Sequence, residues 1–216
     1  MNSAGPPESP PEISLKSLSD ILSWSHHLLG EVLHPGDLAV DLTAGSGHNT
    51  LFLAERVGPE GQVIAFDIQE AALEKTANRF SEAGHPVYFA GDPSRSVVWE
   101  AGIWLVRECH SRLEDFLSGN VKAAAANLGY LPGGDKNIIT RVETTAAAVT
   151  RILSQLAPRG RLSVVSYSGH GGGREEGERV IELFSSLPGR HWEFLPIQIP
   201  NCPQAPRLLV VQKTNC

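Results

Sequence analysis

Apolar and polar positions change period several times along the chain, and each change marks an element. Leu15, Leu18, Ile21, Leu22, Leu28, Leu29, Val32 and Leu33 recur at helical spacing as far as His34-Pro35-Gly36, which predicts an entry helix. Residues 38–42 predict a short first strand, turned by residues 43–47 into a helix over 49–57. A second buried strand is expected over 62–68, then an amphipathic helix over 69–83 closed by Gly84. Two apolar runs, 87–90 and 103–107, compete for the third strand; the later one is expected, with 86–101 an insertion. Residues 121–127 predict the fourth strand, 140–156 a long helix ended by Pro158 and Gly160, and 162–167 the fifth strand. A Gly-rich turn at 169–173 opens a charged helix over 175–187, and residues 193–199 and 207–213 predict two final strands.

Only the loop 200–206 joins those last strands, too short for a parallel crossover, so they are expected to pair as an antiparallel hairpin. Five alternating βα units followed by such a hairpin describe an α/β fold. Such an order resembles the Rossmann-like, seven-stranded sheet of class I methyltransferases, and that sheet is the expected one.

Composition narrows this picture. The 216 residues are 41% apolar, which suits one compact domain, taken as 15–216 after a Pro-rich, acidic tail at 1–14 expected to be disordered. Lys and Arg number 18 against 24 Asp and Glu, net −6, so an RNA partner would need a local basic patch. Cys109, Cys202 and Cys216 form no CxxC pair, which argues against a disulfide framework or a zinc site and for a reducing, intracellular compartment. No apolar run reaches the ~18–20 residues of a membrane span, and neither a secretory nor an Arg-rich transit leader is evident. Cytoplasm and organelle stay open, as does a homodimer.

Candidate chemistry begins at Asp41-Leu-Thr-Ala-Gly45-Ser-Gly47, where strand one meets its helix and open α/β sheets bind ligands. A dinucleotide fingerprint would carry a third glycine where Thr50 stands. A carboxylate at Asp41 would repel a pyrophosphate but suits an ammonium and a sulfonium, so S-adenosyl-L-methionine is the expected cofactor. Asp67, ending strand two, would accept ribose hydroxyls, and Gln69 would reach the adenine side. Cys109 and His110 would lie beside the adenine, with Asp92 in that place if the earlier third strand holds. Asn127-Leu-Gly-Tyr130 ends strand four with an amide acceptor and an aromatic, a pattern suited to a substrate amine on a base. His170-Gly-Gly-Gly173 would suit an esterase, but no GxSxG elbow follows it, and Walker A and HExxH sequences are absent.

The strings DLTAGSGHNTLFLA, FDIQ, Cys109-His110, NLGYLPGGDK, YSGHGGG and the late Asn-Cys-Pro loop span residues 41–206. On them the chain resembles the tRNA wobble-uridine aminomethyl methyltransferase family, also labelled rRNA methylases. The resemblance implies methylation of the primary amine of 5-aminomethyl-2-thiouridine in a tRNA anticodon stem-loop. It implies cofactor contacts from Ser46, Asn49, Asp67, Gln69, Cys109 and His110, beside those expected of Asp41, Gly45 and Gly47. Asn127, Tyr130 and His170 are the expected catalytic groups, the last two as proton relays. Leu131, Pro132, Gly133, Lys136 and Asn201 are the expected substrate contacts, and Lys136, Arg141 and Arg174 a phosphate-facing patch. The chain departs from the family pattern in a longer stretch at 85–101 and in Ala205-Pro206 where paired prolines are usual. Methylation of another RNA or of a small-molecule amine is the alternative, and a non-catalytic cofactor-binding scaffold a third reading.

Overall fold

The computed structural model describes residues 17–83, 85–90, 100–117, 120–169 and 171–215. Eight strands form one sheet: β1 (Leu38–Asp41), β2 (Gln62–Phe66), β3 (Val87–Phe89), β4 (Gly102–Val106), β5 (Val121–Asn127), β6 (Leu156–Ser166), β7 (Trp192–Ile197) and β8 (Arg207–Lys213). Their spatial order is β3-β4-β2-β1-β5-β6-β8-β7. All neighbours pair parallel except β8, which runs antiparallel between β6 and β7. The helices are α1 (Ile21–Gly30), α2 (His48–Val57), α3 (Glu70–Ala83), α4 (Val142–Gln155) and α5 (Gly173–Ser185).

The parallel strands are apolar on both faces because helices cover both. Val40, Ile64, Phe66, Val106 and Ala126 point into one core with Val149, Ile152 and Phe184. Ala39, Val63, Ala65, Leu105 and Ala125, one residue out of step, point into the other with Leu53, Leu73 and Phe80. α1 docks its buried Ile21 against Val165 and Leu208. It is held by a buried Ser25–Ser163 hydroxyl pair at 2.6 Å and by Arg161, which donates to the Leu28 carbonyl at the helix end.

The terminal hairpin is as the sequence foretold. The strand count is not, since eight strands stand where seven were expected. The apolar runs near 87 and 103 both become strands: β4 takes the place beside β2, and the three-residue β3 adds itself outside β4, Val87 opposite Ile103. Residues 91–99, most of the expected insertion, lie outside the described set. The fifth strand also starts early, at Leu156, because Leu156 pairs with Val121 ahead of a register shift that takes up Pro158 and Gly160 before pairing resumes at Arg161. The entry helix is shorter than its apolar pattern and begins at Ile21, where Asp20 accepts the Ser23 amide at 3.2 Å as its cap.

Candidate functional site

Above the carboxyl ends of β1, β2, β4, β5 and β6 lies a cavity of roughly 260 Å³. On one side it is floored by the turn between β1 and α2. Gly47 starts α2 in the left-handed region at φ +77°, and no side chain there caps the helix. The cap comes from below. Asp41, fully buried, accepts the Thr50 hydroxyl at 2.7 Å and the Thr43 amide at 3.1 Å, and also takes the Thr50 backbone N–H. Burial is the main force pushing its carboxyl up, to about 6, with the neighbouring Asp67 charge adding to the rise.

Asp67 ties the turn to β2: one oxygen accepts the Gly45 amide at 3.0 Å and the other the Gln69 amide at 2.9 Å. Burial raises its pKa too, against those bonds. The Ile68 backbone N–H also bonds this carboxylate, and three bonds to two oxygens leave a lone pair for a ligand hydroxyl. His110 shows the reverse. Its Nδ1–H donates to the Leu42 carbonyl at 3.1 Å, which leaves Nε2 as an acceptor without a partner among the described residues, in a side chain that is 8% exposed. Burial lowers its pKa, so the ring is neutral. Asn49 is buried at the cavity wall and bonds His26 Nε2 of α1 at 2.9 Å, with His26 stacked on Phe52 at 4.1 Å. α1 thus reaches the cavity through Leu22 and braces its wall through the His26–Asn49 bond.

The other side is built by the segment after β5. The Asn127 amide donates to Thr43 Oγ1 at 2.7 Å, stitching β5 to the turn after β1. The Asn127 side chain lines the cavity and makes no hydrogen bond to any described residue. Tyr130, Leu131, Pro132, Ile138 and Ile139 continue the wall, and Tyr130 and Ile139 form an isolated antiparallel bridge that closes the loop on itself. Tyr167, at the end of β6, faces the same space, with its pKa raised by burial alone.

Eleven expected residues therefore meet at one cavity: Gly45, Ser46, Asn49, Asp67, Gln69, Cys109, His110, Asn127, Tyr130, Leu131 and Pro132. Seven do not line it. Asp41 was expected to face the ligand, but it lies beneath the floor with its oxygens engaged by Thr43 and Thr50, so its role is to cap α2. Gly47 is buried beneath the turn, beside Thr76. Gly133, Lys136 and Asn201 are exposed and outside the lining, as are Arg141 and Arg174. His170 and Asp92 lie outside the described residues. The sequence reading missed Thr43, Tyr167, Thr140 and His48, of which Thr43, His48 and Tyr167 sit inside strings already singled out.

Residues 63–213 match the family model described as "Putative rRNA methylase". The chain is 37% identical over 196 residues to the Arabidopsis thaliana protein named tRNA (mnm(5)s(2)U34)-methyltransferase, chloroplastic, an alignment covering 88% of this chain and 68% of that one. Among solved structures, a putative rRNA-methylase from Clostridium thermocellum superposes with a TM-score of 0.80 at 30% identity, covering 93% of this chain and 99% of the other. A putative methyltransferase from Streptococcus mutans, solved in complex with SAH, gives a TM-score of 0.75 at 28% identity, covering 93% and 99%. No helix among the described residues is long and apolar enough to cross a membrane.

Proposed function

The chain belongs to the putative rRNA methylase family and is an S-adenosylmethionine-dependent methyltransferase; on that premise we propose that its acceptor is the primary amine of 5-aminomethyl-2-thiouridine at the wobble position of a tRNA. The product would be the 5-methylaminomethyl form. The observation that carries this reading is the 37% identity, over most of both chains, to a protein named for methylation at that uridine.

The cavity suits the cofactor. Asp67 offers acceptors for ribose hydroxyls, the orphaned His110 Nε2 offers one for an adenine amine, and Leu42, Phe66 and Ile68 give an apolar wall for the ring. Gly45, Ser46, Asn49, Gln69 and Cys109 complete the set of residues that would hold it. When bound, S-adenosylmethionine supplies an electrophilic methyl carbon.

The residues of the other wall must present a neutral amine. An alkylamine resembles Lys, with a pKa of ~10.4, so its neutral form costs about 4–5 kcal/mol at pH 7 in water. Enclosure by Tyr130, Leu131, Ile139 and Tyr167 disfavours the ammonium. The unspent Asn127 carboxamide oxygen accepts one amine N–H and so turns the nitrogen lone pair toward the donor side. No obligatory strong base is assigned. Tyr130 and His170 are the proposed relays for the released proton. Lys136, Arg141 and Arg174, all exposed, are proposed to meet the phosphates of the anticodon stem-loop.

The test uses radiolabelled S-adenosylmethionine with two acceptors: tRNA bearing 5-aminomethyl-2-thiouridine, and a panel of free amines. Transfer to the tRNA, lost on Asn127→Ala with SAH binding intact, is the expected result. Transfer to free amines alone would refute the assignment.

A further inference from the structure

Glu176 takes no part in the chemistry above, yet with Asp41 it is one of two fully buried carboxylates among the described residues, 1% exposed. Its α5 neighbours Glu175, Glu178 and Glu182 are exposed, as a charged helix face would be. Glu176 instead turns inward and accepts two hydroxyl protons. Oε1 takes the Thr145 hydroxyl at 2.5 Å and Oε2 the Thr140 hydroxyl at 2.8 Å.

Thr140 connects this carboxylate to the reactive segment. A hydroxyl has one proton, and here it is committed to an acceptor-only group, so the oxygen lone pairs are free to face elsewhere. They face the Gly129 amide, which donates to Thr140 Oγ1 at 2.8 Å, while the Thr140 amide donates back to the Gly129 carbonyl at 2.9 Å. Gly129 sits between Asn127 and Tyr130 at φ +136°, a backbone state that glycine enters and leaves freely, so the hydrogen bonds to residue 140 are what fix it there. The chain of bonds runs from α5 through residue 140 to the backbone that carries the two cavity-facing groups.

We propose that Glu176 is a positioning residue. Its carboxylate, acting through Thr140, fixes the path of residues 127–130 and with it the aim of Asn127 and Tyr130 at the acceptor amine. Thr145, on the other oxygen, holds the carboxylate to α4. The inference rests on the reading that this segment receives the amine.

Four variants separate positioning from plain structural support: Glu176→Leu, Thr140→Val, Thr140→Ser and Thr145→Val. Should Glu176→Leu fail to fold, Thr140→Val severs the same relay at nearly constant volume. Thr140→Val is expected to lower kcat on tRNA bearing 5-aminomethyl-2-thiouridine by about 10- to 100-fold with KM little changed, since misaim acts on the reacting geometry. It is expected to speed amide exchange at Gly129 by a similar factor while SAH affinity stays constant. Thr140→Ser, which keeps the hydroxyl, is expected to recover most of the kcat and of the Gly129 protection that Thr140→Val loses, and Thr145→Val to lower Tm without lowering kcat. The proposal is overturned if Thr140→Val leaves both kcat and Gly129 exchange unchanged, or if Thr145→Val lowers kcat equally. A wild-type protein that ignores this tRNA would sink the substrate assignment, while the exchange rate at Gly129 would still decide the relay.

Discussion

Replacing Asp41 with Asn should remove a specific pH dependence from the stability of this protein. Asp41 is fully buried, and its pKa is pushed from 3.8 to about 6, first by burial and against its bonds to Thr50 and Thr43. The folded state therefore binds a proton that the unfolded chain has already released. That contribution to stability is fully present below 3.8 and is lost as pH rises through about 6. At ~1.4 kcal/mol per unit of displacement, the span amounts to about 3 kcal/mol. Urea unfolding of both proteins between about pH 4 and about pH 7.5 gives the difference in ΔG at each pH. Burial lowers the pKa of His26, His48 and His110, so these rings destabilise the fold on acidification, but they do so in both proteins and cancel in the difference. The bond that Asn cannot replace, at Thr43 or Thr50, shifts the whole difference curve without tilting it. The Asp41→Asn variant should gain about 2–3 kcal/mol relative to the parent as pH rises across this window. A difference that stays flat would refute the raised titration of Asp41.

Further outcomes follow from the same geometry. Gly47→Ala would place a Cβ 3.1 Å from Thr76 at a φ of +77°, and a loss of about 1–3 kcal/mol is expected in thermal unfolding. Asp67→Ala frees the Gly45 and Gln69 amides and removes the ribose acceptor, so calorimetry should show SAH affinity lower by at least about tenfold. Gly177→Ala would bring a Cβ within 2.2 Å of Ser166 Oγ and 2.7 Å of Arg207 Nη2, and Tm should fall while SAH affinity in the folded fraction stays constant.

The fold could be read where burial imposes a pattern. β5 and β8 fall on the residues their apolar runs mark, because a strand covered on both faces admits little else. β3 was discounted because an edge strand of three residues, with Phe89 60% exposed, carries almost no pattern. β6 was started late because Pro158 and Gly160 signal an end locally, while the pairing that places them in a strand is with distant Val121. The site divides the same way. Gly45, Asp67 and Asn127 stand at strand ends and could be found from the strands. The burial of Asp41 beneath α2 depends on Thr50 and on packing from both layers. Glu176 looks like one more charge on a solvated helix, since nothing near it in sequence announces Thr140 and Thr145, 36 and 31 residues away.

The seam between β1 and β5, bridged where Thr43 receives the Asn127 amide, splits the cavity into halves drawn from different parts of the chain. Residues before 111 line the half proposed to hold the methyl donor, and residues 127–167 supply most of the half proposed to receive the acceptor. An inhibitor shaped to the first half would strike kindred enzymes indiscriminately. One seated against Tyr130, Ile139 and Tyr167 would meet the wall proposed to receive the acceptor, and selectivity should be sought there.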